Sequence, residues 1–208
     1  MYVFSHSNSD PTDIILSSSI QRVGIAPRRS SKYITNIRTD NRVHDHMAKL
    51  IDQYFVKHLE LSPEDSYKLH HEYYRTYGLA IEGLVRHHKI DPMEYNRQVD
   101  DALPLDDILS PDPELQKLLQ DIDKTKVKLW LFTNAYLSHG KRVVRLLGID
   151  DLFEGITFCD YANPPLICKP HPEMFAKAMK EAGVQESKDC YFVGMCQLLG
   201  PEFISDRF

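Results

Sequence analysis

Between residues 112 and 193 the hydrophobic period of the chain switches back and forth between helix and strand, and that alternation constrains the fold more than any other feature. Pro113–Ile122 carries apolar residues at helical spacing, and Val127-Lys-Leu-Trp-Leu-Phe-Thr133 is a short apolar run of strand length. Leu137–Leu147 is helical again and stops at Gly148, and Gly155–Phe158 is a second strand. His171–Ala182 is a helix stopped by Gly183, and Cys190–Val193 is a third strand. Strands separated by helices of about ten residues require crossover connections, and so a parallel sheet with helices on its faces. Sheets of this kind place ligands outside the carboxyl ends of their strands. Thr133-Asn134, Asp160-Tyr161 and Gly194 follow the three ends.

Upstream the texture is purely helical. Val43, Met47, Leu50, Ile51, Tyr54, Phe55 and Leu59 recur at steps of three and four, one face of a long helix that begins near Asn41. Ser62-Pro-Glu-Asp65 reads as an N-cap, a proline at the first helical position and acids in the first turn, opening a helix through Tyr77 that Gly78 closes. Leu79–His88 and Pro92–Asp101 give two shorter helices, punctuated by Asp91-Pro92 and Leu103-Pro104. Residues 1–40 hold no period longer than a turn and read as loop with a basic patch, Arg28-Arg29-Ser-Ser-Lys32.

Composition narrows the function classes. With 208 residues there is room for one α/β domain carrying a smaller insert. A net charge of −5 and a pI near 6.0 argue against a nucleic-acid binder. No apolar run approaches the ~20 residues that span a bilayer, so no membrane partner is expected. The start, Met1-Tyr-Val-Phe-Ser, has no secretory pattern. Cys159, Cys168, Cys190 and Cys196 lack CxxC spacing, which speaks against a zinc site or disulfide framework and for a reduced, cytoplasmic or nuclear compartment.

Several stretches resemble a known family. Leu131-Phe-Thr-Asn134 is similar to the second motif of haloacid-dehalogenase-type phosphatases, and Lys169-Pro170 resembles their third. Tyr73–His88 and Val99-Asp-Asp-Ala-Leu-Pro-Leu105 resemble the helical cap of the fungal pyrimidine 5′-nucleotidase group, the relatives of the suppressor of disruption of TFIIS. The resemblance runs from about Arg42 to Val193. It implies an α/β Rossmannoid core (105–193) with a helical cap (41–104), between an atypical N-terminal segment (1–40) and an atypical tail (194–208). It implies a Mg²⁺-dependent phosphatase acting through an aspartyl-phosphate on pyrimidine nucleotides. Thr133, the backbone N–H of Asn134 and the charge of Lys169 would then hold the phosphoryl oxygens, because phosphoryl transfer is mostly positioning and electrostatics. Tyr74, Tyr77, Glu82, Arg86 and His88 belong to the cap, most of them as packing, with base or ribose contact open for one or two.

What the resemblance requires and the chain lacks is equally informative. The family's nucleophile is the first acid of an Asp-x-Asp that ends a strand, and acids after the last strand hold the metal. No such strand lies upstream of Arg42, where Asp10 and Asp13 have the wrong spacing. Gly194-Met-Cys-Gln stands where relatives carry acids. Proper Mg²⁺ binding is therefore not expected. Asp121-Ile-Asp-Lys-Thr125 matches the pattern literally but follows a helix, so it reads as a turn. His70-His71 and His87-His88 project about 100° apart on a helix and do not chelate one metal together.

In the family's sheet the missing first-motif strand is central. Its absence would leave Val127–Phe132 and Cys190–Val193 without a shared partner, and a marginal, aggregation-prone product. Met1–Phe4 and Asp13–Leu16 are the candidates for the gap, and neither has the length or apolar content of a good central strand. Codons for Met1-Tyr2-Val3 and Gly194-Met195-Cys196 permit the intron-start string GTATGT, and those for Thr35–Arg38 permit branch-point and intron-end strings. Residues 1 to about 38 and 194–208 thus read as translated intron, against the competing reading of a true pseudoenzyme. Two functions stay open from sequence: a nucleotidase in its intact form, or a catalytically dead binding module that keeps Thr133 and Lys169.

Overall fold

The structure is a computed structural model that describes residues 2–5 and 41–193, with side chains described from 43 to 190. The readings of 6–40 as patternless loop and of 194–208 as foreign tail fall outside the described residues. Three layers form the core. The sheet contains β1 (Tyr2–Ser5), β2 (Trp130–Phe132), β3 (Gly155–Thr157) and β4 (Cys190–Val193), in the order β3-β2-β1-β4. β2 and β3 are parallel, with Trp130 opposite Gly155 and Phe132 opposite Thr157.

The family's acid-bearing central strand is absent, and the first of the two candidate stretches takes its place: Tyr2 stands opposite both Leu131 and Val193, and β1 runs antiparallel to both neighbours. Backbone groups on the facing edges of β2 and β4 demand partners, and a four-residue strand supplies them whatever its direction. The reversal has a chemical consequence. The carboxyl end of β1, at Ser5 opposite Cys190, lies at the opposite edge of the sheet from the carboxyl ends of β2 and β4.

The period-two alternation of β2 sorts its side chains between layers. Leu129 and Leu131 enter a cluster with Leu115 and Leu119 of α6 (Pro113–Gln120) and Val143 and Val144 of α7 (Leu137–Leu146). Phe132 faces the other way, onto Met174 and Ala178 of α8 (Pro172–Ala182). The strand is shorter than its apolar run. The amides of Lys126 and Val127 bond back to Asp123 in a turn, so the ladder begins later. That turn also disposes of the decoy: Asp123 accepts from the backbone and hydroxyl of Thr125 at 3.0 and 2.6 Å, and Asp121 closes helix α6.

Four helices build the second cluster: α1 (Asn41–Leu59), α2 (Pro63–Tyr77), α3 (Ala80–His88) and α4 (Pro92–Gln98). A fifth, α5 (Leu105–Ile108), is a single turn that the sequence pattern is too short to reveal. The caps follow their residues. Ser62 accepts from Asp65 N–H and Asp91 from Met93 N–H, each with proline next in the chain, and Gly78 ends α2 at φ 79°. Tyr54, Phe55, Tyr73, Ile81 and Leu84 are buried together, and Cys159, Tyr161 and Cys168 from the core side join them. Gly83 of α3 lies so close to α2 that a Cβ would collide with the Tyr73 ring.

This contact yields a test. Gly83→Ala is expected to cost about 1–3 kcal/mol, the usual range for overpacking, read as a lower urea midpoint. An unchanged or raised midpoint would contradict the close approach of α2 and α3.

Candidate functional site

The carboxyl end of β2 is where the elements converge. Thr133, the residue after β2, is buried, its amide donates to Thr157 carbonyl at 2.9 Å, and its hydroxyl accepts from Ala135 N–H at 3.0 Å. Lys169 stands just before α8 and reaches back across the sheet end. Its ammonium donates to Phe132 carbonyl at 3.0 Å and lies 4.8 Å above the Phe132 ring. Asn134 ties the two loops together: its Oδ1 accepts from Lys169 N–H at 2.7 Å and its Nδ2 donates to Lys169 carbonyl at 2.9 Å. Thr133 and Asn134 are thus brought together with Lys169, which lies 35 residues beyond Asn134 in the chain. A cation and a hydroxyl beside backbone amides at a strand end form a donor set suited to an anion.

The helical module meets this edge through the end of α2. Cys168 Sγ donates to Tyr77 carbonyl at 3.4 Å, and the Gly78 carbonyl is 3.5 Å from Asn134 Nδ2. Glu82, whose side chain is 5% exposed, accepts from Arg86 Nε at 2.5 Å, and the Arg86 guanidinium lies 5.2 Å from the Tyr77 ring centre. Tyr77, Glu82 and Arg86 thus form one group where α2 meets α3, and the Tyr77 carbonyl meets Cys168, the residue before Lys169. His88 does not join them; its Nε2 is bonded to the hydroxyl of buried Tyr73 at 2.7 Å, in the packing of α2 on α3. Tyr74 is exposed on α2.

The donor set does not suit a hard divalent cation, which takes carboxylate oxygens. Asp160, the acid that follows β3, bonds within its own turn to Ala162 N–H at 3.1 Å and the Asn163 amide at 2.8 Å. Among the described residues no group of three His, Cys, Asp or Glu is placed to hold a metal ion.

One group escaped the sequence reading. Asp100 is 4% exposed, and its Oδ2 has no partner among the described residues. Burial pushes its carboxyl up to about 7, the Asp101 charge adds to that, and a bond from the Tyr161 hydroxyl opposes it. The signal was present in Val99-Asp-Asp-Ala-Leu103, an acid pair between residues of the core. Cys159 is likewise pushed up, by its bond with Cys168 and then by burial.

Asp100 makes a signed prediction. Its folded pKa lies above its unfolded value, so between about pH 4 and 7 the folded chain holds a proton that the unfolded chain has released. The stability this group contributes falls as pH rises through that window. His70, His88 and His139, lowered chiefly by burial, act in the opposite sense. The difference between Asp100→Asn and the parent isolates the carboxyl: in urea unfolding the variant should gain on the parent between pH 5 and pH 8. A pH-independent difference would contradict a buried, titrating Asp100.

A sandwiched α/β core, with a helical module meeting it at the carboxyl end of a strand that closes on Thr and faces a Lys, defines a capped hydrolase fold. Residues 33–194 match the haloacid dehalogenase-like hydrolases, and the chain belongs to that family. Enzymes of this family generally use Mg²⁺. Phosphate metabolism protein 8 of Saccharomyces cerevisiae is 38% identical over 167 residues, covering 76% of this chain and 52% of the yeast protein. The chain thus spans about half the length of that relative.

Proposed function

We propose that this chain is a phosphate-ester-binding member of the pyrimidine 5′-nucleotidase group that, as these 208 residues stand, performs no turnover. The observation that carries the binding half is the placement of the Lys169 ammonium and Thr133 together at the carboxyl end of β2. A phosphate seated there takes the Thr133 hydroxyl, the Asn134 backbone amide and the Lys169 charge as its donors. The resemblance of Tyr73–His88 and Val99–Leu105 to the nucleotidase cap supports a nucleoside monophosphate as the ester, with Arg86 and Tyr77 toward the base or ribose. The yeast relative's name, a phosphate metabolism protein, is in keeping with that class.

The inactive half rests on the sheet. The slot between β2 and β4 holds Tyr-Val-Phe-Ser, a strand without a carboxylate whose carboxyl end points away from Lys169. An aspartyl-phosphate needs a carboxylate within reach of the phosphorus, and β1 brings none into this slot. The same reading leaves the intact nucleotidase to a form of the protein with an acid-bearing strand in this slot.

Two measurements test the proposal. Phosphate release from UMP or CMP with Mg²⁺ should stay at background, whereas turnover near the ordinary enzymatic range of about 1 s⁻¹ or more would overturn the inactive reading. In titration calorimetry, Arg86→Ala should weaken UMP binding about tenfold and leave inorganic phosphate unchanged, the loss expected for one charged hydrogen-bonding group. Equal losses for both ligands would remove Arg86 from the leaving-group side.

A further inference from the structure

Asn134 is engaged from three directions. Its side-chain amide closes a two-bond ring with the Lys169 backbone, at 2.7 and 2.9 Å. The Gly78 carbonyl stands 3.5 Å from the same Nδ2, and the Tyr161 hydroxyl lies 3.4 Å from the Asn134 carbonyl. A primary amide carries one acceptor and two donors, and the N–H and C=O of one residue are its complement. Two bonds to one peptide fix direction as well as position, as one bond does not. The side chain is committed to backbone, which leaves the Asn134 main-chain amide, rather than its side chain, for an anion.

The other wall of this joint is Gly78. It ends α2 in the left-handed region at φ 79°, and a Cβ there would collide with the Lys169 carbonyl oxygen. The last residue of α2 adds the Tyr77 carbonyl as acceptor for Cys168. Three chain segments distant in sequence therefore press on one residue: the end of α2, the loop after β2 and the loop before α8. From that residue the Lys169 side chain runs back to the Phe132 carbonyl, 3.0 Å from its ammonium. The ammonium is fixed at both ends of its own residue.

We propose that Asn134 is a positioning residue: its side-chain amide locks the Lys169 backbone against Gly78, so that the seating of the helical module on the core sets where the Lys169 ammonium stands. The proposal rests on the phosphate-site reading only in naming an anion as the ammonium's ligand. The joint itself is a statement about protein contacts.

The test uses the whole chain and inorganic phosphate, with affinity followed at the Lys169 ammonium and backbone by NMR, and by calorimetry where Lys169 is replaced. Asn134→Ala should weaken phosphate about tenfold, the loss of a net hydrogen bond or so, and Lys169→Met should weaken it further. If Asn134 acts through Lys169, the double variant binds no more weakly than Lys169→Met alone. The same fold-loss from Asn134→Ala in both backgrounds would overturn the proposal. Gly78→Ala, remote in sequence and in the helical module, should reproduce the Asn134→Ala loss in the parent and none of it with Lys169→Met. A second readout needs no anion. Hydrogen exchange at the Lys169 amide should quicken about tenfold in Asn134→Ala, while Leu131 stays unchanged. Unchanged exchange at Lys169 overturns the joint. Quickened exchange with no phosphate binding in the parent leaves the joint standing and removes the phosphate-site reading alone.

Discussion

The contact on which the rest of the site depends is the ring of two hydrogen bonds between the Asn134 side chain and the Lys169 backbone. Everything else at the carboxyl edge is arranged around it. The sheet supplies Phe132 and Thr133 at a strand end, α8 supplies a loop that ends in Lys169, and α2 supplies Gly78 as a wall without a side chain. None of these places an ammonium by itself. A lysine on a loop has four rotatable side-chain bonds, and an edge that needs a fixed positive charge must restrain the backbone that carries it. A half-buried amide pair does so more cheaply than an ion pair in the same place, since no charge is desolvated.

The two hydrophobic clusters show how the same sequence periods that define the elements also define the seam. Leu131 and Phe132 alternate to opposite faces of the sheet, so a three-residue strand serves both α7 and α8. The aromatic cluster of α1–α4 extends without interruption into Cys159, Tyr161 and Cys168 of the core. The helical module therefore shares its core with the loops that form the site. Asp100 is buried in the passage from the helices to the core, and that burial is what raises its carboxyl pKa.

Much of this was legible in the residues. Ser62-Pro63, Asp91-Pro92 and Gly78 marked helix ends where the caps are found, because those side chains and that φ value are local requirements. The helix–strand alternation gave the parallel pair β2–β3 and the family gave Thr133, Asn134 and Lys169 as neighbours. The role of the Asn134 side chain was not legible, because the partner that defines it lies 35 residues away. Neither was the occupant of the central slot. Tyr2–Ser5 is only four residues, short for a central strand, and its place there is set by pairing with β2 and β4, a tertiary demand. His88 was grouped with Tyr77, Glu82 and Arg86 as part of the cap, most of them as packing, and its bond to the hydroxyl of buried Tyr73 puts it in the contact of α3 with α2.

The central claim is that this edge is an anion site without a nucleophile beside it. Its most direct measurement is anomalous diffraction from crystals soaked in tungstate, a heavy tetrahedral mimic of phosphate. The account predicts a tungsten position within hydrogen-bonding reach of the Thr133 hydroxyl and the Lys169 ammonium, with no carboxylate in line behind it. Tungsten bound elsewhere while this edge stays empty, or a carboxylate found in line with it, would contradict the account.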